Sequence, residues 1–296
     1  MYMPRGSVYL YPFLHTYNKV QKINATTFDD PAILPHKIFV PHAVDFNMIH
    51  LFTSGHGSHF LDFTEVKVKP GYIMFVTKGQ IQNFDPNETY NGKSLIFTDD
   101  FFSREISHHH YLAKTKLYND PLKILYFDTG ERFNEISVLF DFIIEELKRP
   151  VHEHQATLLH NYLYNILLIS ETMYMPQKAL STTYKNNQLV ANFKKQANLN
   201  IHERWTVETY AKMLNTTVRT LQNAFARHER SSPKNWLSER TVLEIKRRLI
   251  YEHQTIKEIT IALNFTEATN LIKFFKMNTG FTPSEFKQSV NRQYRN

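Results

Sequence analysis

The spacing of apolar and polar residues changes along this chain of 296 residues, and each change marks a change of architecture. Between Lys37 and Asp99 the spacing is two. Val44, Phe46, Met48, His50 and Phe52 alternate with Asp45, Asn47, Ile49, Leu51 and Thr53, and short runs follow at 60–68, 72–76 and 95–98. Period two sends successive side chains to opposite faces, so these runs predict β-strands. Ser54-Gly55-His56-Gly57, Pro70-Gly71, Lys78-Gly79 and Asp85-Pro86-Asn87 are turn signals between them. Short strands at this spacing predict a sandwich or small barrel. Residues 1 to about 30 show little periodicity, although Tyr9, Tyr11, Phe13 and Tyr17 are suited to lie against a core.

After Asp128 the period becomes helical. Phe133, Ile136, Leu139, Phe140, Ile143 and Leu147 form one stripe, ending at Arg149-Pro150; Leu158, Leu159, Tyr162, Leu163, Ile166, Leu167 and Ile169 form another. Stripes this apolar must be covered, by each other and by the strands. Gln177 to Gln188 is polar and poor in helix signals, which predicts an interdomain linker. A further helix is expected over Asn192 to Asn200, with Leu189, Val190 and Phe193 inward.

The last third repeats itself. Val207 to Leu214 is a short helix pattern, Asn215-Thr216 a turn, and Thr217 opens a helix with Val218, Leu221 and Phe225 on one face. Ile256 to Leu263, Asn264-Phe265 and Thr266 repeat this order, followed by Leu271, Phe274 and Phe275; Leu214 and Leu263, Asn215 and Asn264, Thr217 and Thr266 are each 49 residues apart. Asn tolerates the left-handed backbone a tight turn requires, and Thr accepts a bond from an orphan helical N–H. Thr255-Ile256-Lys257-Glu258 and Thr282-Pro283-Ser284-Glu285 fit the capping box, and Ser232-Pro233 opens another helix. Each copy predicts a helix-turn-helix, whose second helix enters a major groove of DNA.

Charge sharpens that picture. Residues 190–296 hold 18 Lys and Arg against 9 Asp and Glu, leaving 17 against 19 of the totals 35 and 28 for the rest. A basic excess confined to the repeat-bearing part is the footprint of a phosphate-binding module joined to a neutral one. With no cysteine, disulfides and thiolate metal sites are excluded, in keeping with a cytoplasmic protein. The absence of a long apolar run or secretion signal predicts no membrane partner.

The residues Ala211, Leu214-Asn215, Thr217, Leu221 and Phe225, then Ser232-Pro233, Trp236-Leu237, Glu258-Ile259, Leu263-Asn264-Phe265 and Phe275-Lys276, closing on Thr279-Gly280-Phe281-Thr282-Pro283-Ser284-Glu285-Phe286, resemble the DNA-binding domain of AraC/XylS-type bacterial transcription regulators. Asn264, Thr260 and Arg230 stand where that family commonly has Gly, Ala and Gly. The earlier strand-turn pattern, with Gly55-x-Gly57-x-His59, Lys69-Pro70-Gly71 and Lys78-Gly79-Gln80, resembles the cupin-type sensor barrel that often precedes this domain. The resemblance implies an α+β multidomain chain: a cupin-like sensor barrel over 1–127, a helical dimerisation or packing region over 128–176, a linker over 177–188, and an all-α domain with two helix-turn-helix motifs over 189–296. It implies a transcription regulator, an activator rather than an enzyme, with double-stranded DNA, RNA polymerase, a small-molecule effector and a second copy as partners.

Val218, Leu221 and Phe225 facing inward leave Arg219, Thr220, Gln222 and Asn223 outward. Arg matches guanine O6 and N7, and Gln or Asn adenine N6 and N7, in two hydrogen bonds. On the second recognition helix the family pattern points to Ala268, Thr269, Asn270 and Lys273. Lys246, Arg247 and Arg248, between the motifs, are phosphate contacts or solvated charges. Candidates to line an effector pocket are His42, Asp45, Asn47, His59 and Gln82. The alternative is a cupin metalloenzyme with an appended nucleic-acid module. His42, His50, His56, His59 and Glu65 would have to supply its ligands, but His56 and His59 flank a turn, and Gln80 and Gln82 stand where a later histidine is needed. Neither metal nor cofactor is therefore expected. His108-His109-His110 has the aspect of a polar loop. Phosphate-loop, nucleophile-elbow and His-Glu-x-x-His motifs are missing, which argues against the common enzyme classes that use them.

Overall fold

The computed structural model describes residues 9–11, 13, 22–29, 39–85, 89–105, 107–108, 111–112, 115–118, 120–174, 184–229 and 231–293. Tyr17, Pro86-Asn87, His109-His110, linker residues 177–183 and Arg230 lie outside them, as do the side chains of Tyr9 and Tyr11. The chain forms two compact units, Tyr9–Thr182 and one beginning at Thr183.

The first unit is built on strands β1 Tyr9–Tyr11, β2 Ile23–Thr27, β3 His42–Val44, β4 Asn47–Leu61, β5 Thr64–Val68, β6 Tyr72–Val76, β7 Ile81–Phe84, β8 Thr89–Phe97 and β9 Leu125–Asp128. Its helices are α1 Asp99–Phe102, α2 Phe133–Lys148 and α3 Gln155–Tyr174. The 15 residues of β4 serve two sheets. Its first half lies between β6 and β8, with β9 beyond β6 and β2 beyond β8. Its second half pairs with β5 and β7, and β3 and then β1 follow from β7. Only the β1–β3 pairing among these is parallel. The expected turn at Ser54–Gly57 is instead the interior of β4. A bulge lies between Phe52 and Ser54, and Gly55 takes a φ of 78° with the site of a Cβ only 2.0 Å from the Thr89 carbonyl oxygen. Glycine lets the strand bend there without leaving its ladder. The turns at Gly71 and Gly79 are as expected, with φ of 82° and 81°. β9 has no counterpart in the predicted strands; it is only four residues long and follows a stretch without clear alternation.

The alternation along β4 holds, yet both faces are covered. Val44, Phe46, Met48 and Phe52 join Leu61, Met74, Val76 and Phe13 in one core. Phe13 meets Phe46 edge-on at 5.7 Å. Ile49 and Leu51 on the other face join Ile73, Phe75, Leu95 and Phe97 in a second core, closed by Ile136, Phe140 and Ile143 of α2 and Leu159, Leu163, Ile166 and Leu167 of α3. The helical stripes thus pack on each other and on the sheet. Lys93 fixes α2 across β8, donating to Ser137 Oγ at 2.8 Å and Asp141 Oδ1 at 2.6 Å.

The second unit is all helix: α4 Tyr184–Leu199, α5 Val207–Met213, α6 Val218–His228, α7 Pro233–Ile250, α8 Ile256–Ala262, α9 Ala268–Thr279 and α10 Pro283–Gln293. Residues 184–188, expected as linker, are the start of α4. A helix that buries Val190, Ala191 and Phe193 needs preceding residues to complete its first turn, whatever their polarity. Phe193 is the hub of the first motif, 5.3 Å from Tyr210, 5.1 Å from Phe225 and 5.9 Å from Trp236. Ile259, Leu263, Leu271 and Phe275 are buried in the second, and Ile245 and Leu249 of α7 are buried between the ends of that helix.

Candidate nucleic-acid interface

Helices α5 and α6 form the first motif. Thr206 and Thr217 cap them, accepting from the N–H groups of Thr209 at 3.3 Å and Thr220 at 3.1 Å. Asn215, with φ of 51°, turns the chain between them in the left-handed conformation its residue type predicted. Leu221, Ala224 and Phe225 are buried, which leaves Arg219, Thr220, Gln222 and Asn223 exposed along the outer side of α6.

The second motif, α8 and α9, departs from a strict copy. Asn264 also has φ of 51°, but α9 starts at Ala268, so five residues separate its helices where four separate α5 from α6. The expected cap, Thr266, is exposed outside the helix; Glu267 occupies the cap position and makes no side-chain cap bond. The additional residue is accommodated because Phe265 turns inward, only 6% exposed and 5.6 Å from Phe274. From there the register is 50 residues, as Leu221 with Leu271 and Phe225 with Phe275 show. Asn270, Thr269 and Lys273 are exposed and Ala268 is half-buried. Thr269 donates to Glu267 Oε2 at 3.0 Å, so an acidic group stands at the start of this recognition helix. Thr260, in place of the family's alanine, is buried with its hydroxyl donating to the Ile256 carbonyl at 2.6 Å. Both predicted capping boxes are formed. Thr255 and Glu258 exchange bonds at 3.2 and 2.7 Å, and Thr282 and Glu285 at 3.3 and 2.7 Å. The bonds from these N-terminal N–H groups hold both carboxyls below their ordinary range.

The basic run in α7 is not a fully solvated face. Arg247 is buried, and Lys246 lies 4.9 Å from the Phe286 ring centre. Arg248 and Arg240 both pair with Glu244 at 3.0 Å, and Arg240 also reaches Asn198 Oδ1 at 2.8 Å. Burial alone would raise Glu244; Arg240, Arg247 and Arg248 outweigh it and hold the carboxyl below its ordinary range. A run of charges carries no sequence mark distinguishing a surface from such a network.

Of the pocket candidates, the first unit brings together His42, His59 and Gln82 and adds His50. In register, Gln82 lies opposite both His42 and Leu61, and His59 opposite Phe84, so one face of the second sheet carries the group. His50 meets it from the first. Gln82 Oε1 lies 3.1 Å from His50 Nε2 and 3.2 Å from His59 Nε2, and its amide nitrogen 2.8 Å from Met48 Sδ. With an oxygen between them, both imidazoles donate through Nε2. The Nδ1 of His59 faces the Tyr90 hydroxyl at 3.4 Å, whereas that of His50 has no partner among the described residues. Burial pushes His50 down to about 4 and His59 well below its ordinary value, and it also lowers His42. These rings are neutral, with Phe28, Phe52 and Phe84 around them. Asp45 and Asn47 do not join the group. Asp45, in the bend between β3 and β4, accepts from the Phe13 N–H at 2.8 Å, and Asn47, on the side of β4 that carries Ile49 and Leu51, donates to Asp99 at 2.7 Å. Among the described residues no three His, Cys, Asp or Glu side chains are placed to hold a metal. His108 is not a loop tip: its ring packs 4.3 Å from His160 and 5.5 Å from Tyr164.

Residues 210–289 match the helix-turn-helix domain family. The chain is 23% identical over 165 residues to an uncharacterized HTH-type transcriptional regulator, YdiP, of Escherichia coli (strain K12). That match takes in 55% of this chain and 51% of the relative, so the chain spans about half the length of the curated relative it matches. Among solved structures it is similar to ToxT from Vibrio cholerae O395, with a TM-score of 0.42 and 11% identity over 90% of this chain and 96% of that one. It is also similar to the AraC-like transcriptional activator CuxR, with a TM-score of 0.31 and 14% identity over 74% of this chain and 72% of that one.

Proposed function

We propose that this chain, an AraC-type helix-turn-helix transcription regulator, reads a non-palindromic two-part DNA element with the outer faces of α6 and α9. What carries the reading is that a single unit holds two helix-turn-helix motifs, each presenting exposed polar residues on its second helix. Arg219, Gln222 and Asn223 read base edges through paired hydrogen bonds, with Thr220 beside them. In the second groove Ala268 and Thr269 meet thymine methyls, and Asn270 and Lys273 supply polar contacts. Exposed Arg227, Lys273 and Lys276 grip the backbone, since Arg240, Arg247 and Arg248 of α7 are engaged within the fold.

In this reading the first unit supplies control. A small effector acts at the interior group of His42, His50, His59 and Gln82, and the exposed apolar residues Val138, Phe142 and Leu168 on α2 and α3 serve a dimer contact. Activation proceeds by recruiting RNA polymerase in the cytoplasm. Among the described residues no helix is long and apolar enough to cross a membrane.

The test is selection of bound sequences from random duplex DNA by the full chain, repeated with Arg219→Ala. A two-part consensus of nearly two helical turns is expected, and Arg219→Ala should lose about 1–3 kcal/mol at one base position while keeping non-specific binding. Equal loss on selected and random DNA rejects base reading by Arg219.

A further inference from the structure

We propose that Arg204 is a positioning residue: it clamps the loop preceding the first helix-turn-helix onto the turn of the second, and so sets how the two recognition helices are presented together. The consequence for DNA rests on the regulator reading above; the clamp itself rests on geometry.

A 3-10 turn over Ile201–Glu203 leads into α5, and Arg204 ends it with φ of 53° and ψ of 38°. This left-handed conformation is uncommon for a residue with a long side chain. The loop belongs to the first motif. Ile201 is buried, the Tyr210 hydroxyl donates to the Asn200 carbonyl at 3.4 Å, and Trp205 lies 5.6 Å from the Tyr210 ring. Its contacts reach the second motif. The Arg204 guanidinium carbon stands 3.5 Å from the ring centre of Phe265 and 5.5 Å from that of Phe274. Asn264 Nδ2 donates to the Glu203 carbonyl at 3.4 Å. Asn264 and Phe265 are turn residues, and Phe265 is the one through which the second motif departs from the first.

Helix α7 also packs on both motifs, touching α6 on one side and α8, α9 and α10 on the other. Two bodies joined through a single rod can still twist and bend about it. A second attachment away from the rod removes that freedom, and Arg204 supplies one. Arginine suits the role because its planar, weakly hydrated guanidinium stacks on a ring with one face while the other stays in water. Arg204 is exposed overall, so no charge is trapped without solvent. Successive major grooves on one DNA face lie roughly 34 Å apart, so a protein that holds its two probes in fixed phase selects the spacing of half-sites as well as their bases.

The chain contains no cysteine, so the clamp can be measured with two introduced labels. Exposed Lys212 in α5 and Met277 in α9 serve, as Lys212→Cys with Met277→Cys in the full chain, spin-labelled and read by pulsed electron resonance without DNA. One narrow distance distribution is expected with Arg204 present. It should broaden in Arg204→Ala and in Phe265→Leu, which keeps the site filled with apolar volume but removes the ring. On DNA, Arg204→Ala should weaken binding to the selected element by about two- to fivefold. The preference over elements lengthened by one base pair should fall by the same factor, with isolated half-sites bound as before. Unchanged distance distributions in both variants overturn the proposal. So does a loss equal at every spacing, which would make Arg204 a phosphate contact. If the full chain selects no duplex at all, the regulator reading falls while the distance measurement still decides the clamp.

Discussion

Lowering the pH from 7.5 to 5 should destabilise the strand-rich unit through His50. The ring is fully buried, and burial pushes its pKa from 6.5 to about 4; the bond to Gln82 opposes the shift and the neighbouring His42 adds to it. The folded value therefore lies below the unfolded one. The stability tied to the neutral ring is complete above pH 6.5, declines as the unfolded chain takes up protons, and levels off below about pH 4. Integrating the proton uptake between those two values gives a loss of about 2 kcal/mol at pH 5 for this single group. His59 is displaced in the same direction, first by burial and then by the charge of His50, and deepens the loss. The assay is urea denaturation across this pH range, comparing the wild type with His50→Leu. Both tryptophans, Trp205 and Trp236, lie in the helical unit, so their emission follows that unit, while near-ultraviolet circular dichroism from the tyrosines weighs the other. His50→Leu should flatten the acid dependence of the tyrosine transition by about 2 kcal/mol and leave that of the tryptophan transition alone. Equal acid sensitivity in the two proteins would refute the assignment of a buried neutral ring, whatever their absolute stabilities.

Three further outcomes follow from packing and backbone geometry. Phe225→Ala empties the site beside Phe193 and should cost about 3–5 kcal/mol, seen as a lower urea midpoint by tryptophan emission. Thr255→Ala removes a side-chain cap and should cost about 1 kcal/mol, whereas Thr266→Ala should change stability by less than about 0.5 kcal/mol; the reverse order would show that Thr266 caps α9 after all. Gly55→Ala meets the Thr89 carbonyl as well as an unfavourable φ, while Gly79→Ala meets nothing within 4 Å. The second should cost about 1–2 kcal/mol and the first clearly more, in circular dichroism melts of the strand-rich unit.

Local chemistry was the legible part of this chain. Asn215 and Asn264 announce left-handed turns, and Thr255 with Glu258 announces a cap, because such preferences are satisfied within a few residues. The exposed faces of α6 and α9 followed from the placement of Leu221, Phe225, Leu271 and Phe275. What escaped depended on distant partners. The inward turn of Phe265, which shifts the second motif by one residue, needs Phe274 and Arg204 to receive it. Arg247 and Arg248 are drawn inward by Glu244 on their own helix and by packing that no window of sequence displays. Asp45 and Asn47 match His59 and Gln82 in chemical type, but a bend carries the first to the Phe13 N–H and strand parity turns the second to Asp99.

The shared strand has one more implication. Along β4 the side chains of Met48 and His50 border the Gln82 amide, while Ile49 and Leu51, interleaved with them, bear on the layer formed by α2 and α3. A single peptide's thickness separates the two compartments. Anything that displaces His50 from within therefore bears on the same peptide units that carry Ile49 and Leu51 to the outer helices.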